Sequence, residues 1–94
     1  FATFAIVAHW VQAKLITVNT KKWEHDLTAI AEAVNQRTKL IFLANPNNPT
    51  GTWFNELALI NFLNSISKNV IVVLDEAYSD YMLKDRYPDY PNSI

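Results

Sequence analysis

The sequence predicts an α/β fold built around a parallel sheet, on three observations. Segments with helical apolar periodicity alternate with short β-branched runs. Two of those runs, "KLIFLA" and "VIVVL", are continuously apolar, as strands of a parallel sheet covered on both faces are. The segments joining the runs exceed the roughly one dozen residues that a right-handed crossover between parallel strands needs.

Each element follows in order. Thr3 to Ala13 reads as a helix that Thr3 could cap. It is apolar on most sides and is therefore expected to be buried. Leu15 to Asn19, within "KLITVNT", is β-branched and alternating, which predicts a strand. "TKKWEH" is a link. "DLTAIAEAVNQRT" then reads as a helix with Asp26 as N-cap and Leu27, Ile30, Ala31 and Val34 on one face. "KLIFLA" is a strand buried on both faces. Phe54 to Ile66 is a further helix, capped by Asn55 or Thr52, with Leu57, Ile60, Leu63 and Ile66 recurring along it. Val70 to Leu74 is the last strand. No internal repeat or low-complexity stretch interrupts the pattern.

Composition bounds the function. The chain has 94 residues, half of them hydrophobic, and a formal net charge of −1, so it carries no electrostatic footprint for nucleic acid or an anionic membrane. The apolar opening is broken by His9, Gln12 and Lys14 well short of a membrane span. With no cysteine there is neither a disulfide framework nor a thiolate metal site, which fits a cytoplasmic protein. The start at Phe1, the ending "DYPNSI" without a closing element, and a single glycine lead to the expectation that the chain is part of a larger domain.

In an open parallel sheet, ligands bind outside the carboxyl ends of the strands. Two unusual stretches leave that edge: "NPNNPTG" after "KLIFLA", and "DEAY" after "VIVVL". Asn48 and Asp75 are thus expected to face one pocket. Pro46 and Pro49 fix φ and restrict Asn45 and Asn48, so the loop is expected to be extended and stiff, aiming a short amide at a ligand oxygen. Gly51 allows a left-handed turn. The blander reading is a turn whose asparagines satisfy their own backbone. Asp75 follows five apolar residues and is expected to be largely desolvated, which demands a cation or several donors. Its blander reading is a helix N-cap or a strand-end ion pair. Tyr78 can present a phenol to the same pocket, and Glu76 is expected to face away. A nucleotide-binding strand ending in "DEA" is a competing reading, but it needs a Gly-rich loop ending in Gly-Lys-Ser/Thr, and Gly51 is followed by Thr52. His9 is expected to pack or face solvent, His25 to be a solvated linker residue, and Trp10, Trp23 and Trp53 to be core or interface anchors. "YMLKDRYPDY" is a candidate for the pocket mouth or a dimer contact.

"NPNNPTG" followed about two dozen residues later by "DEAY" resembles the pyridoxal-phosphate-dependent aminotransferases of fold type I, most closely the histidinol-phosphate aminotransferase branch. The resemblance runs from Phe1 to about Tyr81. It implies that residues 1–94 are part of the cofactor-binding large domain, with N- and C-terminal parts elsewhere. It implies that Asn48 and Tyr78 hydrogen-bond the cofactor's phenolic oxygen and that Asp75 pairs with the pyridine nitrogen. "ATFA" matches the family's Pro-Thr-aromatic-Gly stretch with alanines in place of proline and glycine, so the ring-stacking residue is Phe4 or, in reserve, Phe1. The Schiff-base lysine and the substrate-binding arginine match nothing in this chain, so the 94 residues alone are expected to be inactive. The parent is expected to be a homodimer that transfers an amino group between L-histidinol phosphate and 2-oxoglutarate. Other enzymes of the fold share both motifs, among them amino-acid aminotransferases, threonine-phosphate decarboxylases and carbon–sulfur lyases. A non-catalytic interaction module lacking the lysine is the alternative of a different class.

Overall fold

The computed structural model describes residues 2–91. Its elements are helix α1 (Ala2–Trp10), helix α2 (Leu27–Ala33), strand β1 (Leu40–Ala44), helix α3 (Glu56–Ser65), strand β2 (Ile71–Asp75) and a 3₁₀ turn at Ser79–Tyr81. β1 and β2 are parallel neighbours, paired from Leu40 with Ile71 to Ala44 with Asp75. The α/β segment with a parallel sheet is therefore as the sequence predicts. No described helix is long and apolar enough to cross a membrane.

The helix ends follow from local chemistry. The Asp26 carboxylate accepts the Ala29 N–H at 3.0 Å and starts α2. The sequence carries helical apolar spacing as far as Val34, but α2 stops at Ala33. There Asn35 turns the chain, accepting the Arg37 N–H on its side chain and donating its own N–H to Thr38 Oγ1. Asn55, rather than Thr52, caps α3, accepting the Ala58 N–H at 2.9 Å. α1 ends at Trp10, short of the expected Ala13. Ala13 N–H reaches back to Ala8 and Gln12 N–H to His9, with Gln12 left-handed at φ 54°. This is a Schellman closure with glutamine where glycine is usual.

Alternation along the strands separates two faces. Ile41 and Leu43, beside Val72 and Leu74, form one. Phe42 and Ala44, beside Val73 and Asp75, form the other. Leu59, Ile60 and Leu63 of α3 face Val72 and Leu74 across an apolar cleft of about 330 Å³. α2 packs on α3. α1 meets the opposite face, where Phe4 stacks on Phe42 with ring centroids 4.7 Å apart. Among the described residues, Leu43 and Phe62 are the buried large apolar side chains, at 1% and 3% exposure.

Three expectations are corrected. Residues 15–19 form no strand, because β1 and β2 pair with each other and no described segment offers this stretch a ladder. After it, Lys21 and Glu24 pair across a tight turn with Lys22 and Trp23 left-handed. β1 is not buried on both faces. Leu40 and Phe42 are exposed, since the Phe4 ring stacked on Phe42 leaves much of their face open. α1 is likewise not buried: Ile6, Val7, Trp10 and Val11 are exposed. An all-round apolar helix needs partners on every side, and its contact with the sheet is Phe4 on Phe42.

Candidate functional site

The parallel ladder delivers Ala44 and Asp75 to the carboxyl edge side by side, and Asn45 N–H extends it by donating to the Asp75 carbonyl at 2.9 Å. Two loops leave from here. The first is not extended as expected. It closes on itself, with Asn47 N–H donating to Thr52 O at 2.8 Å and Gly51 N–H to Asn47 O at 2.7 Å. The Asn45–Pro46 and Asn48–Pro49 peptide bonds are cis. Asn47, Thr50 and Thr52 add side-chain bonds within the turn, and Thr52 Oγ1 donates to the Trp23 carbonyl. Gly51 takes the left-handed conformation expected of it, at φ 69°.

Closure of this turn leaves Asn48 at its exposed tip, where the amide Nδ2 donates to the Tyr78 hydroxyl at 3.0 Å. Tyr78 comes from the loop after β2, so the two motifs meet in space 30 residues apart in sequence. A hydroxyl that accepts from an amide still has its own proton to donate, and an amide has a second N–H. The pair therefore presents two donors close together, which suits an electron-rich oxygen. Asp75 shares their edge, on the sheet face that carries Phe42. It is half-buried rather than largely desolvated, because the ladder ends there and solvent reaches the carboxylate. Asp75 Oδ1 accepts the Ala77 N–H at 3.1 Å, a turn-stabilising bond that uses one of about four acceptor positions on a carboxylate. Phe4 lies on that same sheet face through its stack on Phe42, whereas Phe1 lies outside the described residues.

Several residues carry more than their sequence signal suggests. Asn45 is fully buried. Its side chain holds Phe54 from both sides, accepting the Phe54 N–H at 2.9 Å and donating to the Phe54 carbonyl at 3.1 Å. Its own carbonyl accepts from the Tyr90 hydroxyl at 2.5 Å. His25 is not a solvated linker residue. It is half-buried against Phe54 and hydrogen-bonded to the Ala44 carbonyl at 2.9 Å, which places a proton on Nε2 because a carbonyl only accepts. A strand-end carbonyl needs a donor, and His25 supplies it. Trp53 packs edge-on to Tyr87 and near Tyr90, as an anchor should, but Trp10 and Trp23 are exposed. Glu76 is half-buried, with Oε1 3.5 Å from the Tyr90 hydroxyl. Burial, together with the Glu76 charge and hydrogen bond, pushes the Tyr90 phenol up to about 12. The apolar cleft beside α3 lies on the sheet face opposite Asp75 and takes no part in this edge.

The family model for aminotransferases of class I and II matches residues 1–92. The chain belongs to that family. As a class I and II aminotransferase sequence it is 48% identical, over its whole length, to histidinol-phosphate aminotransferase 2 of Hydrogenovibrio crunogenus, of which it covers 27%. It is 45% identical to the histidinol-phosphate aminotransferase of Moorella thermoacetica over 95% of the chain and 23% of that relative. For Desulfotalea psychrophila the figures are 51% identity over 79% of the chain and 20% of the relative, again a histidinol-phosphate aminotransferase. The aminotransferase chain thus spans about a quarter of the length of curated relatives it matches.

Proposed function

We propose that these residues are the ring-recognition part of the large domain of a longer aminotransferase. On this reading the enzyme is a cytoplasmic homodimer that uses pyridoxal phosphate to move an amino group between L-histidinol phosphate and 2-oxoglutarate, in histidine biosynthesis. The observation that carries it is the meeting of the Asn48 amide and the Tyr78 hydroxyl at 3.0 Å, on the sheet edge that also bears Asp75. Membership of the aminotransferase family and the names of the relatives support the reaction and substrate.

The residues fit the cofactor's ring. Two convergent donors match an anionic phenolic oxygen, and a half-buried carboxylate with acceptor positions to spare matches a protonated ring nitrogen. Bound pyridoxal phosphate supplies an electron sink for the pair left at the substrate α-carbon. Asp75 holds a proton at the pyridine nitrogen, because a negative charge at close range favours the protonated form. Asn48 and Tyr78 orient the ring by donating to one oxygen. Phe4 is the proposed stacking residue, on the face of the sheet it shares with Asp75. The lysine that anchors the cofactor and the arginine that binds substrate belong, on this proposal, to parts of the protein outside residues 1–94.

The test is a transamination assay on the purified longer protein with L-histidinol phosphate and 2-oxoglutarate. Cofactor-dependent formation of glutamate is expected. Glutamate from other amino donors but not from L-histidinol phosphate would move the assignment to another enzyme of the same fold. Cofactor binding without transfer from any donor would leave a binding module.

A further inference from the structure

We propose that Tyr90 is a positioning residue for the cofactor edge: its hydroxyl fixes the Asn45 carbonyl and thereby sets how the Asn48 loop sits against Asp75. The inference rests on the reading of Asn48, Asp75 and Tyr78 given above.

Asn45 is where the two loops are joined. Its N–H is bonded to the Asp75 carbonyl, its side chain grips both polar groups of Phe54, and its carbonyl accepts from Tyr90. The amide and side-chain bonds are made within the sheet and its own loop. Among the described residues, the Tyr90 bond alone reaches in from the tail, 45 residues away. That tail is itself held. Glu56 N–H, at the start of α3, donates to the Asp89 carbonyl at 2.8 Å, and the Tyr90 ring lies against Trp53 at a centroid distance of 6.2 Å. The brace therefore runs from α3 through residues 89–90 to the first residue of the Asn48 loop.

A phenol has one proton to give. At 2.5 Å the Asn45 carbonyl takes it, and the Glu76 carboxylate at 3.5 Å takes at most a share. Glu76 directly follows Asp75, so the hydroxyl touches both loop roots. The raised phenol pKa keeps this donor protonated across the working range of an enzyme. No part of Tyr90 is needed at the cofactor. It acts through Asn45.

The test compares wild type with Tyr90→Phe in the longer protein. Phenylalanine keeps the ring beside Trp53 and removes only the hydroxyl. Amide exchange of Asn47 and Gly51, in protein stripped of cofactor, is expected to rise about three- to tenfold, the loss of one hydrogen bond. Pyridoxal phosphate is expected to bind about three- to tenfold more weakly on the same basis. The pH midpoint of its bound absorption is expected to shift, since Asn48 and Tyr78 no longer hold their places. Glu76→Gln, which keeps an acceptor beside the hydroxyl, is expected to stay near wild type in all three. Unchanged exchange and an unchanged absorption midpoint would overturn the inference. So would a lower urea midpoint with the absorption intact, which would mean a structural role only. A wild type that binds no pyridoxal phosphate would refute the functional reading, and the exchange data would still decide the brace.

Discussion

Asn48 and Tyr78 approach to 3.0 Å from loops on neighbouring strands, so each side chain is held in place by the other. The same holds for Tyr90, whose phenol is pushed up to about 12 chiefly by burial and then by Glu76. A raised phenol pKa means the neutral form is favoured in the folded protein. Its stabilising effect is fully present below pH of about 10, the unfolded value, and is lost as pH rises through the folded value. The difference in tyrosinate absorbance between wild type and Tyr90→Phe isolates this group, and its midpoint is expected near 12. A midpoint at the ordinary value would mean that the phenol is not enclosed as described. At this scale the placement of Asn48, Asp75 and Tyr78 at one sheet edge was legible, because their loops leave the ends of short apolar strands. Asn45, His25 and Tyr90 were not. Their roles depend on contacts with backbone carbonyls 19 and 45 residues away for His25 and Tyr90, and no spacing in the sequence encodes which carbonyl lacks a donor.

Among the elements, the caps were the most legible. An aspartate or asparagine before an apolar-periodic run satisfies an orphan N–H two or three residues on, and Asp26 and Asn55 both do so. Asn55→Ala is expected to destabilise the protein by about 1 kcal/mol. Gly51→Ala is expected to cost roughly 1–2 kcal/mol, although a methyl group there would meet open space. The cost lies in φ 69°, which a residue with a Cβ resists. Urea midpoints check both, and a neutral Gly51→Ala would show that the turn has another conformation. The strand expected at residues 15–19 was illegible for the opposite reason. β-branched alternation says that a segment suits a ladder, but a strand exists only where a neighbour supplies hydrogen bonds. The end of α1 is not legible in the sequence because glutamine, an unusual residue for a left-handed position, closes it.

At the scale of the whole molecule, apolar surface outruns what the described residues can cover. Leu40, Ile71, Leu57, Trp10 and Trp23 are all more than half exposed, and the two strands of the sheet have no further neighbours among the described residues. Exposed apolar patches and open strand edges drive association. The 94-residue chain prepared alone is therefore expected to self-associate, and light scattering at a monomer mass across micromolar concentrations would contradict this. Continuous apolar runs mark the strands as suited to burial, but do not encode what buries them. Nor do they reveal that the α3 cleft faces away from Asp75. On the proposed reading Asp75 holds a proton on the cofactor ring, and one measurement tests this most directly. It is the nitrogen-15 shift of ring-labelled pyridoxal phosphate bound to the longer protein near neutral pH, in wild type and in Asp75→Asn. A protonated ring nitrogen is expected in wild type and an unprotonated one in the variant, with removal of the substrate α-proton slowed by about a hundredfold or more. The same ring-nitrogen shift in both proteins would contradict the assignment of Asp75.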